Sequence, residues 1–169
     1  MTIISVTRTY LQLTSPSQLH SAKLADGFRV ERAHPCPVAF ARYLYTEVGR
    51  DYRWTDRMTW TDEQFAEVLS RPTISLWVLY GHGVPGGFFE LSRHLDDSIE
   101  ITYFGLTHDF IGLGLGKQML SVAAERGWAS GATRVWLHTC TLDSPRALPN
   151  YLARGFEKYR EEEYQLPAL

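Results

Sequence analysis

Three glycines at alternating positions, Gly112, Gly114 and Gly116, lie in the run FIGLGLGKQML, between a predicted strand and a predicted helix. A glycine turn that ends on a helix start suits an anion. Unpaired backbone N–H groups and the positive end of the helix dipole converge there, and the missing side chains let a phosphate approach. The competing reading is a glycine turn with no ligand, and the loop alone does not choose. It does exclude two phosphate loops. A dinucleotide fingerprint needs glycine where Lys117 stands, and a Walker loop needs glycine at Ile111 and Ser or Thr at Gln118. Lys117 is either a further phosphate contact or a solvated side chain of the first helical turn.

A second chemical signal is Glu100, in the strand-like run SIEITYFGL (98–106). Strict alternation puts Glu100, Thr102, Phe104 and Leu106 on one face and Ile99, Ile101, Tyr103 and Gly105 on the other. A carboxylate among apolar groups has its pKa raised toward the range of a general base, acting directly or through water. Otherwise Glu100 is a charged residue at a solvated sheet end, paired with an arginine. Glu90, on the preceding strand, is the competing carboxylate.

The remaining candidates narrow the chemistry. His20, His34, His82, His94, His108 and His138 show no ligand pairing, so no metal is expected. His138 reads as a packed or hydrogen-bonded strand residue, with proton relay as its alternative. No GxSxG elbow supports a hydrolase. Tyr45, Asp51, Tyr52, Trp54, Asp56 and Trp60 could hold a cationic amine through ring faces and carboxylates. Equally, they could edge the core beside a solvated charge run in which Arg50, Arg53 and Arg57 balance the acids.

The elements that must position these residues follow from pattern. Strands are expected at 3–13, 27–32, 73–80, 87–92, 98–106, 133–139 and from Phe156 onward. A turn containing Gly81, Gly83, Pro85 and Gly86 should join the third and fourth. Helices are expected at 37–48, at about 62–70 behind a Thr61/Gln64 capping box with a Trp60/Phe65 staple, at 115–130 up to Gly131, and at 144–154. Pro149 inside the last predicts a kink or a late start. The order implies an α/β chain with a mixed sheet and helices on both faces.

A length of 169 residues, without repeats or linkers, fits one domain spanning 1–169. A net charge of −2 argues against a broadly basic, nucleic-acid-binding face. No run approaches a membrane span of about 20 apolar residues. Cys36 and Cys140 form no disulfide framework or zinc spacing, so a reducing cytoplasm is expected.

From Ile99 through Phe156 the chain resembles the GNAT superfamily of N-acetyltransferases. The residues that carry the likeness are the loop Ile111-Gly112-Leu113-Gly114-Leu115-Gly116 and the series Ala147, Tyr151, Gly155 and Phe156, with the WVLY…GGFFEL hairpin upstream. The resemblance implies a mostly antiparallel central sheet of about 6–7 strands. It implies that the loop amides hold the pyrophosphate of acetyl-CoA, with Lys117 and Ser144 as further contacts. The main chain at Phe104 and Leu106 would pair with the pantetheine arm and supply an N–H to the thioester carbonyl. Tyr151 would be the general acid toward the CoA sulfur, and Glu100, where many relatives keep a glutamate, the general base. The chain departs from the family at Ile111, where Gln or Arg is usual, and at Leu113, often basic. The implied function is acetyl transfer to a primary amine of a small molecule or peptide in a ternary complex. The alternative is a non-catalytic acyl-CoA-binding or sensing module. The sequence names neither the acceptor nor the oligomer, and a homodimer stays open.

Overall fold

The computed structural model describes residues 1–168. Its strands are β1 (Ile3–Leu13), β2 (Phe28–Arg32), β3 (Ile74–Gly81), β4 (Val84–Arg93), β5 (Ile99–Leu106), β6 (Val135–Cys140) and β7 (Glu157–Pro167). The helices are α1 (Val38–Gly49), α2 (Asp62–Ser70), α3 (Leu115–Ala129) and α4 (Ala147–Ala153). All seven strands form one sheet in the order β2-β3-β4-β5-β6-β1-β7. Every neighbouring pair is antiparallel except β5 and β6.

Apolar residues on alternate strand positions supply two cores. Leu79 and Phe89 join Leu11, Leu13, Ile99, Ile101 and Leu137 beneath the Leu115, Met119 and Leu120 face of α3. Their chain neighbours Val78 and Phe88 turn the other way, onto Ala41, Leu44 and Val48 of α1 and Phe65 of α2. Helices therefore cover both faces.

Local chemistry explains the boundaries. Thr61 and Gln64 form the reciprocal cap that starts α2, and the Trp60 and Phe65 rings meet edge to face at 5.3 Å. Pro149 allows only a late start for α4, at Ala147, because α4 then holds it in the first turn, where no N–H is needed. The β3–β4 hairpin is tighter than the glycines suggest. Its turn is the pair His82 and Gly83, both at positive φ, while Gly81, Pro85 and Gly86 belong to the strands.

The end of α4 is locked to the segment after β1. His20 N–H donates to the Arg154 carbonyl at 2.8 Å, and Gly155 sits at φ +99, where a Cβ would lie 1.9 Å from the Gln18 carbonyl oxygen. Only glycine fits both the conformation and the contact. Gly155→Ala is expected to destabilise the protein by about 2–4 kcal/mol. The check is the urea midpoint at unchanged m-value, and a loss under about 0.5 kcal/mol would contradict this packing.

Candidate functional site

Strands β5 and β6 pair only at Ile99–Val135 and Glu100–Trp136, then diverge. From Ile101 to Leu106 the β6-facing edge of β5 has no strand partner, and its peptide groups border a cavity of about 640 Å³. An unpaired strand edge offers alternating N–H donors and carbonyl acceptors to any extended amide-bearing chain.

At one end of this cleft stands the glycine loop. Gly112 and Gly114 have φ of +86 and +76, and α3 begins with no side-chain cap. The first N–H groups of α3 are therefore free to bind an anion. A Cβ at Gly112 would meet nothing within 4 Å, so the loop surface is open. Ile111, Gly112, Gly114, Leu115, Gly116 and Lys117 line the cavity, whereas Leu113 points to solvent.

Tyr151 of α4 reaches the same cavity from the α3 face, packed edgewise on Phe104 and Phe156 at 6.3 Å each. Burial pushes its phenol well above the ordinary tyrosine range, with the Asp143 carboxylate adding to the rise. The group thus stays protonated at neutral pH and can donate. Ser144, Phe104 and Leu106 also line the cavity.

The opposite wall comes from the segment between α1 and α2. Tyr45, Tyr52, Trp54 and Asp56 line the cavity, while Asp51 and Trp60 do not. Arg57 is not part of a solvated charge run. Its guanidinium donates to both Glu90 oxygens, at 2.7 and 2.8 Å, and lies between the rings of Trp60 (4.7 Å) and Tyr103 (4.4 Å). The Tyr45 hydroxyl accepts from Arg57 N–H at 3.1 Å. Glu90 is fully buried in this pair and does not line the cavity. It anchors the wall to the sheet.

The face of Glu100 differs from the alternation. Glu90 pairs with Tyr103 and Leu91 with Ile101, so Thr102 is an extra residue on β5 and the alternation reverses across it. Ile99, Ile101, Phe104 and Leu106 all face α3, and Tyr103 faces α1 and α2. Glu100 shares the Tyr103 side, opposite Phe104 and Leu106. Its Oε1 lies 3.0 Å from His94 Nε2, and it does not line the cavity. His138 of β6 does line it; although its side chain is exposed, desolvation by the surrounding wall lowers its pKa first and Arg8 second, with Glu100 opposing the shift.

Residues 41–156, well over half of the chain, match the acetyltransferase (GNAT) family. The chain belongs to this family. Solved structures share the fold at low identity. A GCN5-related N-acetyltransferase from Kribbella flavida is 20% identical, with a TM-score of 0.69 over 97% of this chain and 58% of its own. Another from Sphaerobacter thermophilus is 14% identical, with a TM-score of 0.72 over 95% and 51%. An aminoglycoside acetyltransferase from an uncultured soil metagenomic sample is 12% identical, with a TM-score of 0.65 over 78% and 90%. The chain thus spans little more than half the length of the first two. No curated protein matches the sequence.

GNAT family members use acetyl-CoA, and the residues present fit it. The open loop amides and Lys117 suit the pyrophosphate, and the free β5 edge suits the pantetheine amides. Among the described residues no cluster could hold a metal. Sequence reasoning missed Asn150, Arg146 and Arg8, all cavity-lining. Arg146 and Asn150 could have been found by their i, i+4 spacing one residue before Ala147 and Tyr151, whereas Arg8 had no local signal.

The Arg57–Glu90 pair makes a stability prediction. Glu90→Gln strands a buried guanidinium and is expected to cost about 3–5 kcal/mol, while the apolar double variant Arg57→Met/Glu90→Leu costs markedly less. Urea unfolding of the three proteins checks this, and a Glu90→Gln loss below about 1 kcal/mol would contradict the anchoring role.

Proposed function

We propose that this chain transfers an acetyl group from acetyl-CoA to a primary amine of a small molecule or peptide, the amine attacking directly while both are bound. One observation carries the reading: the loop amides, the open β5 edge and Tyr151 border a single cavity. We treat residues 1–169 as one acyl-CoA N-acyltransferase domain. Cys36 and Cys140 are free thiols, which supports a reducing cytoplasm as its location.

When bound, acetyl-CoA supplies the thioester carbonyl that the amine attacks. The main chain of β5 at Phe104 and Leu106 orients the pantetheine arm and offers an N–H toward the carbonyl oxygen. The glycine loop, with Lys117 and Ser144, holds the phosphates and the nucleotide end. Tyr151 donates its phenolic proton to the departing sulfur, and burial keeps that proton in place until it is needed.

The amine must lose a proton, and His138 is the neutral base that lines the cavity. Its lowered pKa leaves the imidazole unprotonated near neutral pH. Glu100, bonded to His94 rather than to His138, supports this base through its charge alone, which favours the imidazolium once formed. The presence of an acid and a base in one cavity supports catalysis over a purely acyl-CoA-sensing role.

Tyr151→Phe is expected to lower kcat about 10²-fold or more with KM for acetyl-CoA little changed. An unchanged kcat would remove Tyr151 from the reaction. In the pH profile of kcat/KM, activity should fall on the acid side as His138 protonates, below the ordinary histidine value of about 6.5. Because Glu100 raises the His138 pKa, Glu100→Gln should move this limb to lower pH, and His138→Gln should abolish it. If the limb survives His138→Gln but vanishes in Glu100→Gln, the glutamate itself is the base. An acetyl group trapped on Cys140, whose residue lines the cavity, would contradict direct attack.

A further inference from the structure

The cavity wall facing the aromatic segment carries a guanidinium with no carboxylate partner among the described residues. Arg8 lies in β1, which alternates: Thr9, Leu11 and Leu13 turn inward beneath α3, leaving Arg8 and Tyr10 on the other face, beside His138 and across from the aromatic wall. Its guanidinium lies over the Tyr164 ring, 5.0 Å from the centroid. Its Nε–H is buried without an acceptor, and no carboxylate among the described residues forms an ion pair with it.

The carboxylate across the strand from Arg8 is engaged elsewhere. Glu162 stands opposite Arg8 in the β1–β7 ladder, but it accepts from the Tyr10 hydroxyl at 3.1 Å and pairs with Arg160. Asp143 also lines the cavity, and its Oδ2 accepts from Thr139 Oγ1 and Cys140 N–H. Arg53, a second cavity cation, donates to the Pro167 carbonyl and has no carboxylate partner among the described residues. Two guanidiniums and two carboxylates, Asp56 and Asp143, thus line this part of the cavity, and none of the four is ion-paired among the described residues.

We propose that the amine acceptor carries a carboxylate, which Arg8 binds: an α-amino acid or short peptide with an aromatic or apolar side chain. The proposal rests on the transferase reading and names its substrate class. A planar guanidinium on a cavity wall, lacking an internal carboxylate partner, suits a carboxylate ligand. The ring surfaces of Tyr45, Trp54 and Tyr103 suit the apolar side chain. A polycationic acceptor, such as a polyamine or an aminoglycoside, would find no acidic excess there, because Arg8 and Arg53 offset Asp56 and Asp143.

Equilibrium binding tests this without acetyl-CoA. Calorimetric titration uses N-acetyl-L-phenylalanine and N-acetyl-L-phenylalaninamide, which differ only in the carboxylate, together with spermidine. The wild-type chain should bind the acid at least tenfold more tightly than the amide, and bind spermidine more weakly than either. Arg8→Met should erase the difference between acid and amide, and Arg8→Lys should restore part of it. Equal binding of acid and amide, binding of neither, tighter binding of spermidine, or a preference that survives Arg8→Met would overturn the proposal. If Arg8→Met does not fold, the wild-type comparison still decides. A separate acetyl-CoA titration tests the transferase reading, so that failure there is distinguishable from failure of the carboxylate preference.

Discussion

Two neighbouring strands that stop being neighbours set the geometry of this protein. β5 and β6 run parallel, joined by the α3 crossover, and share two residue pairs before they part. Backbone that a continuous sheet would consume internally is left free along β5. Because α3 starts just beyond the end of β5, the same parting sets the free amides of the glycine loop at the mouth of the cleft. An exposed strand edge and an uncapped helix start are both costly to leave unpaired in an interior. Here they border one cavity, where a phosphate-bearing, amide-containing chain would satisfy both.

The two arms that part are held by different means. On the β4–β5 arm, the buried Arg57–Glu90 pair fixes the segment between α1 and α2 against the sheet, placing Tyr45 and Trp54 over the cleft. On the other arm, β1 is inserted between β6 and β7, so the first strand of the chain forms part of the wall of a cavity whose loop lies a hundred residues later. That insertion delivers Arg8 beside His138. In the proposed reading, the acyl-donor half of the cavity is built from the central and C-terminal parts of the chain, and the acceptor half depends on its N-terminal strand.

Much of this was legible in the sequence, and the exceptions share a cause. The glycine loop, the Thr61/Gln64 cap and the late start of α4 are local patterns of spacing and turn chemistry, whereas Tyr151 stands out only through the family resemblance. The face of Glu100 was misread because one extra residue, Thr102, reverses the alternation, and nothing in SIEITYFGL marks a bulge. Glu90 and Arg57 lie 33 residues apart, so their pairing and the burial of Arg57 depend on tertiary contact. Arg8 is invisible for the same reason: strand order is not written in any one strand.

The central claim is that the parting of β5 and β6 is the acyl-CoA site. Amide hydrogen exchange with and without acetyl-CoA tests it most directly, because it reads the peptide groups that the cleft leaves free. The account predicts slowed exchange in two connected stretches, 102–106 of β5 and 112–118 of the loop and first turn of α3, with β2 and β3 unchanged. Protection that spares both stretches, or none at saturating acetyl-CoA, would contradict it.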